Sequence, residues 1–172
     1  MKHLPLKRLT LLALFTTLAM AIYYVESLLP TLVPIPGIKL GLANIITLFV
    51  LKNFSPKEAF LVLLARILLV SFAFGQFISL FYSLIGGIFC LLAMWLINRL
   101  LKGGFLFLTS IFGALFHNIG QLCVAILLTQ SLAVLSYLPF FVLSATITGL
   151  FTGLCAHFAQ KYLGKFLRCQ FI

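Results

Sequence analysis

Few side chains of this sequence can carry chemistry, and most of them lie inside long apolar stretches. Arg66 stands within LLARILL, and His117 stands four residues before Gln121 in HNIGQ. Ionisable side chains inside such stretches are costly to bury and are usually functional. Arginine binds carboxylate or phosphate groups through its planar fork of N–H donors. The pattern therefore predicts a buried site that favours a negatively charged ligand with an apolar body.

These polar residues gather at similar estimated depths. At about 1.5 Å per helical residue, Arg66 falls near the middle of its stretch and His117 just beyond the middle of its own. A segment rich in Pro and Gly, 30–41, precedes the second stretch. Irregular backbone at membrane depth is tolerated where it lines a cavity, so we expect this segment to cover a pocket. The candidate substrate-binding residues are Glu26, Lys39, Asn44, Arg66, Gln76, Tyr82, His117, Asn118 and Gln121.

Each main candidate also has a purely structural explanation. Arg66 would bond a carbonyl or extend toward an interface, and His117 would be a satisfied core histidine. Lys39 would anchor a loop, and Asn44 would join helices by hydrogen bonds. Glu26 would cap backbone N–H groups. The sequence leaves these alternatives open.

The composition sets the class of protein. The 172 residues are 63% hydrophobic and 8% charged, whereas soluble domains are about 45–50% apolar and about 25% charged. This excludes an ordinary soluble enzyme and a disordered chain. The net charge is +10, but the basic residues flank apolar runs, so we expect contact with the lipid bilayer and no nucleic-acid binding. The four cysteines have no metal-ligand spacing, and no metal or cofactor is predicted.

The apolar runs predict an all-α, multi-pass membrane protein with six transmembrane helices in one domain, 1–172. The expected spans are 9–29, 39–52, 55–74, 76–98, 105–128 and 138–160. Ser55-Pro56-Lys57-Glu58 is typical of a helix start. With both termini cytoplasmic, ten of the twelve Lys and Arg residues fall on the inner face, one falls on the outer face and Arg66 lies within a span. This bias predicts that orientation in the cell membrane; a cleaved signal peptide is the alternative for the first span.

Small residues recur every four positions on two predicted helices. The rows are Ala13, Thr17 and Ala21 on the first helix, and Ala145, Gly149 and Gly153 on the sixth. Such rows let helix backbones approach closely. They predict docking faces for a partner membrane protein, and internal packing is the alternative.

Four separated motifs carry a resemblance to a known family. They are PIPGIKLGLANI, SPKEAFLVLLARILL, SLFYSLIGG and GALFHNIGQL. Over about residues 8–160 the chain resembles the Gx transporter family, also labelled heptaprenyl diphosphate synthase component I. That family in turn resembles the substrate-binding S components of energy-coupling factor (ECF) transporters.

The resemblance implies a function and partners. It implies a subunit that captures a vitamin or precursor molecule from outside and works with a transmembrane coupling subunit and two cytoplasmic ATPase subunits. The matching motif positions are Lys39, Asn44, Arg66, His117, Asn118 and Gln121. Thr17 departs from the Ala-xxx-Ala docking pattern of S components.

The acidic residues of the sequence show whether it could be a prenyl diphosphate synthase itself. Prenyl diphosphate synthases hold Mg²⁺ through Asp-rich clusters, since Mg²⁺ needs oxygen ligands. This sequence has no Asp, and its two Glu residues, Glu26 and Glu58, are predicted on opposite sides of the membrane. We therefore expect no enzyme activity. The alternative to transport is a non-catalytic membrane partner in prenyl diphosphate or quinone metabolism, or in linked electron transfer.

Overall fold

The computed structural model describes residues 6–28, 39–75, 77–102 and 104–171, and these fold into six α-helices and one 3₁₀ turn. The helices are α1 (Leu6–Ser27), α2 (Asn44–Asn53), α3 (Pro56–Phe74), α4 (Phe77–Leu100), α5 (Leu106–Thr129) and α6 (Leu138–Phe171). The 3₁₀ turn, Leu132–Tyr137, connects α5 to α6. The prediction of an all-helical fold is confirmed for the described residues.

Helix α3 begins and ends where its sequence requires. The Ser55 hydroxyl accepts from the backbone N–H of Glu58, and the Glu58 carboxylate accepts from the backbone N–H of Ser55. This reciprocal capping box satisfies donors that a helix start leaves free, and it typically contributes about 1 kcal/mol. Gly75 ends the helix with a φ of 64°, a left-handed conformation that glycine adopts without strain.

The helices assemble so that basic residues collect at one end. Arg8 of α1 donates from Nη2 to Glu58 of α3 over 2.9 Å. Asn53 of α2 donates to Gln160 of α6 over 2.7 Å. We call this region the basic end, and its described cations include Lys7, Arg8, Lys52, Lys57, Arg99, Lys102 and Lys161. The charge asymmetry read from the sequence is therefore present in the fold.

The helices have apolar residues both in the buried core and on the exposed surface. Residues such as Phe15, Phe49 and Leu63 are buried in the main core among α1, α2 and α3. Large apolar side chains also face outward, including Phe72 at 72% exposure and Leu127 at 68%. A water-soluble protein would bury such residues, whereas acyl chains cover them at no cost.

Close glycine contacts join α4, α5 and α6. A Cβ added at Gly120 of α5 would lie 2.8 Å from the Gly86 Cα of α4. A Cβ at Gly149 of α6 would lie 2.6 Å from the Ile111 Cα of α5. No larger residue fits at these positions without moving a backbone, so these glycines set the distances between the helices.

Four helical segments are long and apolar enough to cross a membrane: α1, α4, α5 and Leu132–Gly164. Helix α3 has 19 residues but carries Lys57, Glu58 and Arg66. Helix α2 has only ten residues and starts at Asn44, five positions later than expected, because residues 39–43 are not helical. Helix α6 continues past 160 to Phe171. Six complete spans and the orientation of the termini stay predictions.

Candidate functional site

Arg66 is buried at the centre of the bundle. It is the eleventh of the 19 residues of α3 and is only 4% exposed. It borders a narrow pocket of about 170 Å³, counting the gaps between wall atoms, in which no water-sized sphere fits. The lining residues are Tyr23, Arg66, Ile67, Val70, Ser71 and Ser83. The pocket is thus too narrow to admit water, and a guanidinium group forms part of its wall.

Glu26 positions the backbone that enters α2. Its Oε1 accepts from the Gly41 N–H over 2.7 Å, and its Oε2 accepts from the Leu42 N–H over 2.8 Å. Gly41 has a φ of 82°, which favours glycine. The Glu26 carboxylate is also the strongest charge acting on Arg66. Glu26 therefore holds the backbone that leads into α2, as the capping alternative predicted, and it partly neutralises the charge of Arg66.

Lys39 and Tyr23 form the side of the site next to Glu26. The Lys39 Nζ lies 3.7 Å from the centroid of the Tyr23 ring, a cation–π contact. The Tyr23 hydroxyl shares a hydrogen bond of 2.9 Å with the Ser79 hydroxyl of α4. Together Lys39, Arg66 and Glu26 leave one net positive charge, since two cations face one carboxylate. Electrostatics here favour a ligand with a single negative charge.

His117 of α5 is held between two glycines. A Cβ at Gly41 would lie 3.0 Å from the His117 Cδ2, and a Cβ at Gly86 would lie 3.0 Å from its Nδ1. The His117 Nε2 is 3.1 Å from the Gln121 Nε2, as their spacing of four residues predicts. In the tautomer that lets Gln121 donate to Nε2, the ring proton sits on Nδ1, beside the Gly86 backbone. The imidazole is therefore fixed in place, and Arg66 is close enough to act on it electrostatically.

Three buried polar atoms of this region have no hydrogen-bond partner among the described residues. They are the Asn44 Oδ1, Arg66 Nε and Gln121 Oε1, whereas the His117 Nδ1 lies within reach of the Gly86 backbone. An unsatisfied buried polar group costs about 1–3 kcal/mol. Rotation of the Gln121 amide exchanges donor and acceptor but still leaves one polar atom unsatisfied. Three such atoms on α2, α3 and α5 indicate a site that a ligand completes.

Two other predicted site residues, Asn118 and Tyr82, do not join this group. Asn118 donates from Nδ2 to the Phe141 carbonyl over 2.9 Å and so joins α5 to α6. Tyr82 packs in a separate apolar cluster with Leu122 and Phe141. Gln76 lies outside the described residues, as do residues 30–38 of the predicted cover.

The two rows of small residues differ in exposure. On α1, Ala13, Thr17 and Ala21 are all exposed, and the Thr17 hydroxyl bonds its own helix at the Ala13 carbonyl. The docking role of this row stays a prediction. On α6, the row Ala145, Gly149 and Gly153 is buried.

These α6 positions face α5, and a docking role for them stays a prediction. A Cβ at Gly153 would lie 3.1 Å from the Phe107 Cα. The row allows α5 and α6 to approach closely, which is the packing alternative.

Sequence reasoning missed several residues at the site. Tyr23, Ser71 and Ser83 line the Arg66 pocket, and Gly41 and Gly86 enclose His117. A weak signal was present for Tyr23, which precedes Glu26 by three residues and shares its helix face. Hydroxyls within apolar helices gave no comparable signal, because Ser and Thr also bond their own helix.

The fold and the site define an all-helical membrane protein with a narrow polar pocket between its helices, some of whose buried polar atoms lack hydrogen-bond partners. A family model described as heptaprenyl diphosphate synthase component I matches residues 15–159. The chain belongs to this family, as its four motifs predicted. Neither the curated proteins nor the solved structures contain a match to it. The likeness to S components of ECF transporters stays a prediction.

Proposed function

We propose that this protein is the substrate-binding membrane subunit of an ECF-type transporter. In this role it captures a small anionic vitamin or precursor molecule from outside the cell membrane. The observation that carries the proposal is the buried guanidinium of Arg66, whose Nε lacks a hydrogen-bond partner among the described residues. Burying an incompletely paired charge is unfavourable, so its presence at a pocket wall supports a role in ligand binding.

The surrounding groups define the ligand. Arg66 supplies donors for a carboxylate or phosphate oxygen. Asn44 and Gln121 supply further polar atoms, and Tyr23 offers an aromatic wall. A small molecule with one negative charge and additional polar groups would satisfy this set.

The partners follow from the same proposal. A chain without a nucleotide-binding motif needs an external energy source, so transport requires the coupling subunit and the two ATPase subunits. The exposed α1 row of Ala13, Thr17 and Ala21 is the proposed contact with the coupling subunit.

Native mass spectrometry of the gently purified full chain tests the ligand. We expect an additional mass of a small molecule on the wild type. Arg66→Lys keeps the positive charge but removes Nε, so the bound fraction should fall at least tenfold. Arg99→Lys is the matched control, because Arg99 is an exposed arginine at the basic end. Equal occupancy in both variants would contradict the Arg66 site.

A second candidate function rests on the family description, which names a component of a prenyl diphosphate synthase. The protein would then be a non-catalytic membrane partner of that pathway or of linked electron transfer. Glu26 and Glu58 are the only acidic side chains, and Glu58 contacts Arg8. Arg8 and Glu26 are about 27 Å apart along α1, so one Mg²⁺ cannot bind both carboxylates. Purification of the chain with a soluble synthase subunit, and without uptake activity, would favour this candidate.

A further inference from the structure

An apolar groove opens on the membrane-facing surface between α3 and α4. Its volume is about 590 Å³, within the usual range of small-molecule sites. The apolar walls are Pro56, Phe60 and Leu61 of α3 with Leu91 and Leu92 of α4. We call this feature the α3–α4 groove. It extends about 8 Å along α3, which matches the upper part of an acyl chain.

Two cations stand where the groove meets the basic end. Lys57 lines the groove at the first turn of α3, and it makes no ion pair or hydrogen bond within the described part of the chain. Trp95 lines the opposite wall, and the Arg99 guanidinium carbon lies 5.7 Å from its ring centroid. Arg99 follows Trp95 by four residues and so projects from the same face, one turn nearer the end of α4.

Within the described residues, no carboxylate pairs with Lys57 or Arg99. Glu58 is the acidic residue of this end, and its oxygens are engaged by Arg8 and by the Ser55 backbone and hydroxyl. Lys57 and Arg99 are both exposed. Anionic headgroups attract such cations by about 1 kcal/mol each, which is about a fivefold preference per cation.

We propose that the α3–α4 groove binds an anionic phospholipid, with an acyl chain along its apolar walls and the phosphate at the level of Lys57 and Arg99. Trp95 adds an indole N–H donor, which typically sits at headgroup level. The bulky walls at Phe60 and Leu92 favour a flexible chain over a partner helix, since helices dock on small residues. The proposal does not depend on transport, because Lys57 lies about 14 Å from Arg66 along α3.

The chain carries its own probe for this site, because Trp95 is its only tryptophan. The full chain is placed in phosphatidylcholine vesicles, and Trp95 fluorescence is recorded. Brominated phosphatidylglycerol or brominated phosphatidylcholine is then added at equal mole fraction. Bromine quenches tryptophan only on contact, so the ratio of the two quenching efficiencies reports headgroup selection at the groove. We expect phosphatidylglycerol to be preferred by about five- to thirtyfold.

Paired variants locate the selectivity. Lys57→Gln combined with Arg99→Gln should reduce the preference to less than about twofold, because both cations are removed. Lys7→Gln combined with Lys161→Gln is the control. These lysines are exposed and belong to α1 and α6, so the loss of net charge is equal but the groove is intact. The control should keep the wild-type preference, and the ratio within each variant cancels changes in Trp95 emission.

Three outcomes would overturn the proposal. Equal quenching by both lipids in the wild type would mean that the groove holds bulk lipid without selection. An equal loss of preference in both double variants would assign it to overall surface charge. A third outcome is that neither lipid quenches Trp95, while its emission changes when the protein is diluted in the vesicles. This would mean that a second copy of the chain covers the groove.

Discussion

Replacing Arg66 by methionine separates a binding role from a structural one. Arg66 is 4% exposed and its Nε has no partner among the described residues. Methionine is an unbranched, flexible side chain of similar volume with no charge and no N–H donor, so it fills much of the space without the charge. If Arg66 binds a ligand, the stability of the ligand-free protein should change little. If Arg66 holds the fold together, the protein should lose much of its stability.

The opposing contributions can be worked out. Removing the unsatisfied Nε gains about 1–3 kcal/mol. Losing the attraction to Glu26 costs about 2–3 kcal/mol if a separation of about 5–8 Å and an effective dielectric constant of about 20 are taken. At the middle of each range the two contributions nearly cancel and leave a loss of about 0.5 kcal/mol, or a drop in Tm of about 2 °C for a chain of this size. Breaking a satisfied buried ion pair costs about 3–5 kcal/mol, which lowers Tm by at least about 6 °C.

The assay is thermal unfolding in detergent, followed by circular dichroism, on the protein freed of co-purifying ligand. Arg8→Met is the matched control, because Arg8 donates to the buried Glu58 carboxylate. Without Arg8, that carboxylate loses its ion-pair partner. We expect the control to lower Tm more than Arg66→Met does. Native mass spectra of the same variants, recorded before the ligand is removed, should show ligand on Arg8→Met and none on Arg66→Met. A Tm drop at Arg66 equal to that at Arg8, with ligand retained, would refute the reasoning.

Three further predictions concern glycines and the α1 face. Gly41→Ala should reduce the ligand-bound fraction in native mass spectra at least tenfold, because its Cβ would lie 2.9 Å from the Asn44 amide nitrogen at a φ of 82°. Gly75→Ala shares a positive φ but meets open space, so it should leave binding unchanged and lower Tm by only a few degrees. Thr17→Leu should leave Tm and ligand binding unchanged, because Thr17 is exposed, but it should weaken co-purification with the coupling subunit. An unchanged yield of the complex would rule out this face. Gly149→Val should lower Tm by about 10 °C or abolish folding, because a Cβ there meets backbone at 2.6 Å; a variant of wild-type Tm would contradict the α5–α6 contact.

Local features of the fold were predictable because they depend on neighbouring residues. The capping box joins Ser55 to Glu58, three residues apart, and the contact between His117 and Gln121 follows from one helical turn. Arg66 was placed correctly within its helix because depth is set by a constant rise per residue. Each of these inferences uses only the geometry of a single helix.

Contacts between helices were not predictable, because they depend on how each helix is rotated. Asn118 follows His117 directly, yet it faces Phe141 of α6 instead of the Arg66 pocket. The rows on α1 and α6 have the same spacing, but one is exposed and the other packs on α5. Spacing identifies a face of a helix, whereas only the assembled bundle determines what that face meets.

The narrowness of the Arg66 pocket has a kinetic consequence. No water-sized sphere fits inside it, and Tyr23 in its wall is hydrogen-bonded to Ser79 of α4. Any solute must therefore wait until these walls separate. At rising solute concentration the observed association rate should level off at the frequency of that separation, and this plateau should increase when Ser79 is replaced by alanine.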